Sequence, residues 1–182
     1  MESNHLLIRL TVFEDCTYFS KWVSEDPEVS QFFTMDQGRS YNEIAEEFVI
    51  RTLDPTMLQF TIVSKDIEAP VGRIWISRID RHADSLDITR IYIGDKNFRG
   101  KGFGEESLRL LLEYCFMNLH MERVTLDHMP ANQRAANLYL KLGFQYEGTM
   151  RHSGKKDGVY VDLKLMSMLR AEYYANLRDE RI

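Results

Sequence analysis

Two hydrophobic periods divide the chain. His5–Leu10 is short and apolar and reads as a first strand. Over Phe13–Val23 the side chains Phe13, Tyr18, Phe19, Trp22 and Val23 recur at helical spacing, which predicts an amphipathic helix. Asp26-Pro27 ends it, because a proline drives the residue before it out of the helical region. Ser40 followed by Glu43 has the form of a capping box for a helix to about Arg51. Leu58–Ser64, Val71–Ile79 and Ser85–Ile93 are rich in β-branched and aromatic residues, Trp75 among them, and read as a meander of three strands.

The period then changes. Gly102–Leu119 carries Phe103, Leu108, Leu111, Leu112, Cys115, Phe116 and Leu119 at i, i+3, i+4 spacing and is the strongest helix in the sequence. Arg123–Asp127 is a short strand. Asn132–Leu142 is a helix with Ala135, Ala136, Tyr139 and Leu140 near one stripe, and Gly143 stands just past its end, where helices often stop. Phe144–Met150 and Val159–Met168 are strands around a Gly154–Gly158 turn, and the charged tail from Leu169 to Ile182 is expected to be helical. A β-α-α opening, a meander and a β-α-β-α-β-β ending predict an α/β (α+β) protein built on a mixed sheet with helices on its faces and a right-handed crossover. No repeat, low-complexity tract or linker interrupts the chain, so one domain over residues 1–182 is expected.

Composition narrows the function classes. With 182 residues, 44% of them hydrophobic, the chain can bury a core without disulfides or metals. The 23 basic and 28 acidic residues leave a net charge of −5, and the pI is about 5.6. No global basic field attracts nucleic acid; a cationic substrate is compatible. Cys16 and Cys115 cannot make a disulfide framework. No stretch is long and apolar enough to span a membrane, and the start lacks the pattern of a secretion signal, so a cytoplasmic protein without membrane contact is expected. The His, Cys and carboxylate residues show no metal-ligand spacing, and no metal is expected.

Arg99-Gly100-Lys101-Gly102-Phe103-Gly104 lies between the end of a strand and the strongest helix. Glycines there allow a sharp turn and close approach of a ligand, and free N–H groups at a helix start favour a phosphate. The plain alternative is a turn that needs glycine for its shape alone. The segment is neither a Walker loop nor a dinucleotide fingerprint. About thirty residues on, Asn132 opens a small-residue helix that closes with Tyr139, Gly143 and Phe144. Arg99, Gly102 and Gly104 followed by this second motif, in a strand–helix–strand–helix frame, resemble the GNAT superfamily of acyl-CoA-dependent N-acetyltransferases. Glu147–Arg151, Asp157–Asp162 and Met168-Leu169 are similar to the branch that holds ribosomal-protein N-terminal and spermidine acetyltransferases.

The resemblance implies a GNAT-like fold, with a central twisted mixed sheet and a splayed acetyl-CoA cleft between Leu86–Gly94 and Arg123–Met129. Backbone groups near Tyr92, Ile93 and Gly94 would meet the pantetheine arm and polarise the thioester. The N–H groups of Arg99, Gly100, Lys101, Gly102, Phe103 and Gly104 would hold the pyrophosphate, with Arg99 and Lys101 adding charge. Asn132 would bind the pantetheine arm while also capping its helix. Tyr139 matches the family's general acid; as a residue type it also suits a core position. Asp127 and Asp87 are rival bases, His128 ranks behind them, and a water chain is the alternative. Glu25, Asp26, Glu28, Asp36, Glu43, Glu46 and Glu47 crowd the early part as a cation-attracting rim or as solvated helix faces. Phe32-Phe33 and Tyr41 could pack a methylene chain or simply the core.

The implied activity is transfer of acetyl from acetyl-CoA to a primary amine by direct attack in a ternary complex. The acceptor would be a polyamine, another small amine or a protein N-terminus. The alternatives are a non-catalytic acyl-CoA sensor on the same fold and an interaction domain that binds no CoA. A homodimer through the late strands is compatible with the resemblance.

Overall fold

A computed structural model describes residues 1–34 and 38–179. Seven strands form one sheet in the order β1-β2-β3-β4-β5-β7-β6. They are β1 (Leu6–Leu10), β2 (Leu58–Ser64), β3 (Ala69–Asp80), β4 (Ser85–Ile93), β5 (Arg123–His128), β6 (Gln145–Lys156) and β7 (Val159–Leu169). Only the β4–β5 pair is parallel, so only it needs a long crossover. The predicted mixed sheet is therefore present.

The helices are α1 (Cys16–Glu25), α2 (Pro27–Ser30), α3 (Tyr41–Thr52), α4 (Phe103–Glu113), α5 (Gln133–Lys141) and α6 (Arg170–Asp179). The helix expected from Phe13 begins with a 3-10 turn, Phe13–Asp15, and becomes α-helical at Cys16. Asp15 explains the turn. Its carboxylate accepts from the Val12 N–H (3.0 Å), Thr61 (2.7 Å) and Arg9 (2.6 and 2.9 Å), which ties the helix start to β1 and β2. Asp26-Pro27 breaks the helix as expected, yet it also starts α2: the Asp26 side chain accepts from the Glu28 N–H at 3.0 Å and Pro27 fills the first helical position. The Ser40–Glu43 capping box is formed in both directions, at 3.3 and 2.7 Å.

The helix expected over Gly102–Leu119 runs as α4 to Glu113 and then widens into a π turn over Tyr114–Asn118. The Leu119 N–H reaches the Tyr114 carbonyl at 2.9 Å, five residues back. The widening keeps Cys115 and Phe116 wholly buried beside Leu108, Leu111 and Leu112; burial also pushes the Cys115 thiol up to about 12. The last hairpin is longer than expected, β6 running to Lys156, and it closes on the two residues Asp157-Gly158. Among the described residues the tail is helical to Asp179.

The core is split by the sheet. On one face Leu6, Ile8, Ile62, Ile74, Ile76, Leu86 and Ile88 pack with α4, α5 and the ring of Tyr173 on α6. On the other, Phe19, Trp22, Val23, Val29 and Ile44 of α1–α3 form a smaller cluster.

Candidate active site

β4 and β5 part midway. Their pairing runs from Ser85 opposite Arg123 to Ile88 opposite Leu126 and stops, although β4 continues to Ile93 and β5 to His128. A bulge marks the place: Trp75 pairs with Arg90 and Ile76 with Ile88, so the backbone register skips Thr89, whose hydroxyl still bonds that of Ser77 on β3 at 2.6 Å. A bulge bends its strand and changes its aim, and here β4 leaves β5 beyond it. The parting coincides with the cleft expected between Leu86–Gly94 and Arg123–Met129.

A cavity of about 220 Å³ opens there. Ile91, Tyr92 and Ile93 of β4 line it, with Arg99, Gly104, Asn132 and, on α5, Arg134, Ala135, Leu138 and Tyr139; Val29 and Phe33 close it from the α2 side. Of the residues expected at the site, Tyr92, Ile93, Arg99, Gly104, Asn132 and Tyr139 thus meet around one space. Gly94, Gly100, Lys101, Gly102 and Phe103 lie in or beside the same loop but not on that wall, and Asp87 and Asp127 stand off it.

The loop's geometry follows from its glycines. Gly102 is left-handed (φ 88°) and is the N-cap of α4, a conformation that costs glycine little. The first helical bond is Glu106 N–H to the Gly102 carbonyl at 3.0 Å. The N–H groups of Phe103, Gly104 and Glu105 therefore have no carbonyl within their own helix. Of the two acids in this first turn, Glu105 is paired with Lys141 (2.6 Å) and Arg109 (3.1 Å), and Glu106 is held by Ser3 and His5. Gly94 matters differently: a Cβ there would stand 2.1 Å from the Trp22 ring. Its N–H already donates to the Val71 carbonyl at 2.8 Å, so it could serve an incoming carbonyl only by leaving the sheet.

Arg99 is also committed. Its Nε donates to the Ile93 carbonyl (2.9 Å) and its Nη2 to the Gly94 carbonyl (2.6 Å). The same guanidinium binds Asp26 at 2.7 Å and Glu28 at 3.1 Å, and this hydrogen bond holds the Asp26 carboxyl below its ordinary range. The expectation that Arg99 adds free charge to the loop is corrected. It straps the loop to β4 and to α2, while Lys101 stays exposed. Arg134, which sequence reasoning passed over, is an exposed cation on the cavity wall. The stripe drawn through Leu140 concealed it. Leu140 is 56% exposed, and the inner face of α5 runs through Ala135, Leu138 and Tyr139.

Tyr139 is 8% exposed, with its ring 6.0 Å from that of His128 and 5.9 Å from that of Phe144. Burial, and next the Asp127 carboxylate, push its phenol well above the ordinary value. It keeps its proton at neutral pH and can act there only as a donor. Asn132 accepts from the Ala135 N–H at 3.1 Å, which is its capping role; its amide N–H₂ makes no hydrogen bond to another described residue and lies at the cavity.

Asp87 and Asp127 project from the sheet face that carries α1 and α3. Asp87 is 5% exposed and accepts from the Thr89 and Thr125 hydroxyls, both at 3.0 Å. Asp127 is half-buried and has no hydrogen-bonding partner among the described residues. Burial, and then Asp87, raise its carboxyl above the ordinary range, which makes it a stronger base than an ordinary aspartate. His128 alternates to the Tyr139 side, its Nδ1 2.9 Å from the Met129 carbonyl oxygen.

The acidic rim is mostly paired. Asp26 and Glu28 bind Arg99, Glu43 closes the capping box, and Glu47 binds Arg39 and Arg51. Glu25 and Glu46 are exposed; Asp36 lies outside the described residues.

A family model described as an acetyltransferase (GNAT) domain matches residues 5–145. "Uncharacterized N-acetyltransferase p20" of Bacillus licheniformis is 27% identical over 94% of this chain and 96% of its own. "Probable N-acetyltransferase YjcK" of Bacillus subtilis is 33% identical over 82% and 85%. Among solved structures, a spermidine N-acetyltransferase from Vibrio cholerae in complex with CoA and spermine superposes with a TM-score of 0.83, at 22% identity, over 94% of this chain and 99% of that one. The expected GNAT fold is thereby shown.

Proposed function

The chain belongs to the GNAT acetyltransferase family and is an acyltransferase, and on that premise we propose that, as one domain, it moves an acetyl group from acetyl-CoA to a primary amine. The amine attacks directly while both substrates are bound. The observation that carries the reading is Tyr139, a buried phenol held protonated on the wall of a cavity that opens where β4 and β5 part.

Bound acetyl-CoA supplies an activated acyl group and a thiolate leaving group. The residues fit it: the unpaired N–H groups at the start of α4 suit a pyrophosphate, Arg134 and Lys101 add accessible cations, and the Asn132 amide faces the space between. Tyr92 and Ile93 line the cavity where the acyl end would lie; in that stretch the Gly94 N–H is engaged by Val71 and the Ile93 carbonyl by Arg99.

Two protons must move. An alkylammonium, with a pKa near ~10, has no lone pair at neutral pH. Asp127 accepts that proton, directly or through water. Its raised pKa and unshared carboxylate favour it over Asp87, whose oxygens are taken by two threonines. Tyr139 gives its phenolic proton to the departing sulfur. Asp127 lies close enough to raise the phenol's pKa, so donor and acceptor stand on either side of the parted strands.

CoA-thiol release from acetyl-CoA across polyamines, diamines, amino acids, amino sugars and short peptides tests this. Turnover with any amine upholds it. Acetyl-CoA binding without thiol release on any of them would favour the acyl-CoA sensor, and no binding at all would favour the interaction domain.

A further inference from the structure

The sheet face that carries α1 and α3 holds a cluster of guanidiniums for which neither the fold nor the proton transfers account. Cross-strand pairing sets Arg73 beside Tyr92 and Trp75 beside Arg90. α3 lays Arg51 over the Trp75 ring, 3.8 Å from its centroid. Arg90 lies 4.3 Å from the centroid of Phe33 and 4.9 Å from that of Trp75, and Arg73 lies 4.5 Å from that of Phe19. The cations share an aromatic box, and Phe33 and Tyr92 belong at once to this box and to the cavity wall.

The box is short of anions. Among the described residues, Glu47 is the carboxylate that faces it, and Glu47 is shared by Arg39 and Arg51. Its pairing with Arg51, at 3.2 Å, is misaligned, so Arg51 Nε and Glu47 Oε1 both lack a hydrogen bond. Arg73 is 3% exposed and spends one nitrogen on Gln59 at 2.6 Å, but its Nε has no partner among the described residues. Nor do the Tyr92 hydroxyl and the Trp75 indole N–H, both buried. Burial raises the Tyr92 phenol above its ordinary value, against the opposing pull of Arg73 and Arg90, and its hydroxyl has no aligned hydrogen-bond partner. Buried donors without acceptors are costly, and on this face an anionic acceptor would supply what they lack. Burial pushes the Arg90 guanidinium down to about 10, with Arg73 and Arg51 adding to the effect.

We propose that the acceptor amine also carries an anionic oxygen group, a carboxylate or a phosphate, which Arg90 receives with the Tyr92 hydroxyl and Arg73 behind it. The inference rests on the transfer to an amine proposed above and narrows its acceptor. The acceptor's amine lies toward Asp87 and Asp127, on the same face, and its anion lies along β4 toward the box. A plain polyamine, cationic at both ends, would meet guanidiniums there, and Asp26, Glu28 and Glu47, three of the acids that might have attracted it, are bound by Arg99, Arg39 and Arg51.

Matched pairs test this: lysine against cadaverine, ornithine against putrescine, phosphoethanolamine against ethanolamine. CoA-thiol release should favour at least one anionic member by about tenfold or more in kcat/KM, since a site built on charged donors rejects the analogue that leaves them unpaired. The preferred pair tells carboxylate from phosphate. Arg90→Gln should abolish the preference, mainly through KM, and Arg90→Lys should restore part of it. Acetyl-CoA affinity by calorimetry, unchanged in both variants, shows that they fold. Equal or faster turnover of the plain amines by the wild type would overturn the anion site while leaving the transferase intact. Should no amine react, the transferase reading falls and the site is read alone, by calorimetry with butyrate and butyl phosphate. Binding that Arg90→Gln weakens upholds the site; no binding to the wild type overturns it.

Discussion

Toward α4, strands β3 and β4 present Ile74, Ile76, Leu86 and Ile88; toward α1 and α3 the same strands present Arg73, Trp75, Ser77, Asp87 and Tyr92. The alternation of a strand puts both sets on one stretch of chain. The first set is bound by burial, which does not depend on direction and is worth about 1.5–3 kcal/mol for a large side chain. The second is bound by hydrogen bonds and charge, which must point correctly and which leave Arg73 Nε, Trp75 Nε1 and Tyr92 Oη unsatisfied. One face thus carries the stability of the molecule, and the other holds polar groups in reserve. Tyr139 is the exception that joins them, since it is buried among the α4-side residues and yet is the proposed proton donor.

The largest effect should come from the apolar face. Leu111→Ala removes a fully buried side chain and should cost about 2–5 kcal/mol in chemical denaturation, with kcat of the folded enzyme unchanged. A small loss would mean that α4 repacks freely. Tyr139→Phe should separate the two roles of that residue, lowering kcat by about tenfold or more while acetyl-CoA affinity stays nearly the same. Equal kcat would return Tyr139 to the core alone. Gly102→Glu places a bulky anion at a left-handed position beside the free N–H groups of α4. Calorimetry should show acetyl-CoA binding weakened by about tenfold, and unchanged affinity would refute the pyrophosphate placement.

The smallest effect concerns pH. Arg123 grips Glu147 with two bonds, at 2.5 and 2.6 Å, and Ser167 adds a third at 2.7 Å, joining β5, β7 and β6. The Arg123 hydrogen bonds, foremost, hold the Glu147 carboxyl down to about 2. A lowered carboxylate stabilises the fold above its unfolded value and loses that contribution as pH falls through its folded one. Glu147→Gln should therefore cost about 1 kcal/mol at neutral pH, the site being partly exposed to solvent. The gap between variant and wild type should close between the ordinary glutamate value and pH about 2. A gap independent of pH would assign the loss to packing.

Much of the fold could be read from the chain because its periods are long and its caps local. The α4 stripe spans three turns, and Ser40 and Glu43 lie within one. Helix α2 escaped because a single turn has no period to detect. The π turn escaped because the choice between four- and five-residue spacing is made by how Cys115 and Phe116 pack, which the pattern does not encode. The second motif holds Asn132 and Tyr139, the family resemblance added Tyr92, and all three line one cavity. Partnerships across the fold were illegible. Nothing near Arg99 reveals that its charge meets Asp26 and Glu28. Arg51, Arg73 and Arg90 stand apart in the sequence, and only the register of β3 on β4, with α3 laid over them, brings them together.

An open strand edge invites another chain to pair with it, and most sheets carry that hazard only at their rims. This sheet has rims at β1 and β6 and a third opening between β4 and β5. The inner opening is the safest of the three against aggregation. An intruding strand needs a ladder spacing of about 4.8 Å on each side, whereas at Ile88 and Leu126 the two edges are already bonded to each other. The wedge therefore cannot take a further strand into the ladder between β4 and β5. Protection against self-association is then needed only outside, and on β6 the exposed Arg151 and Lys155 place repelling charge along the rim.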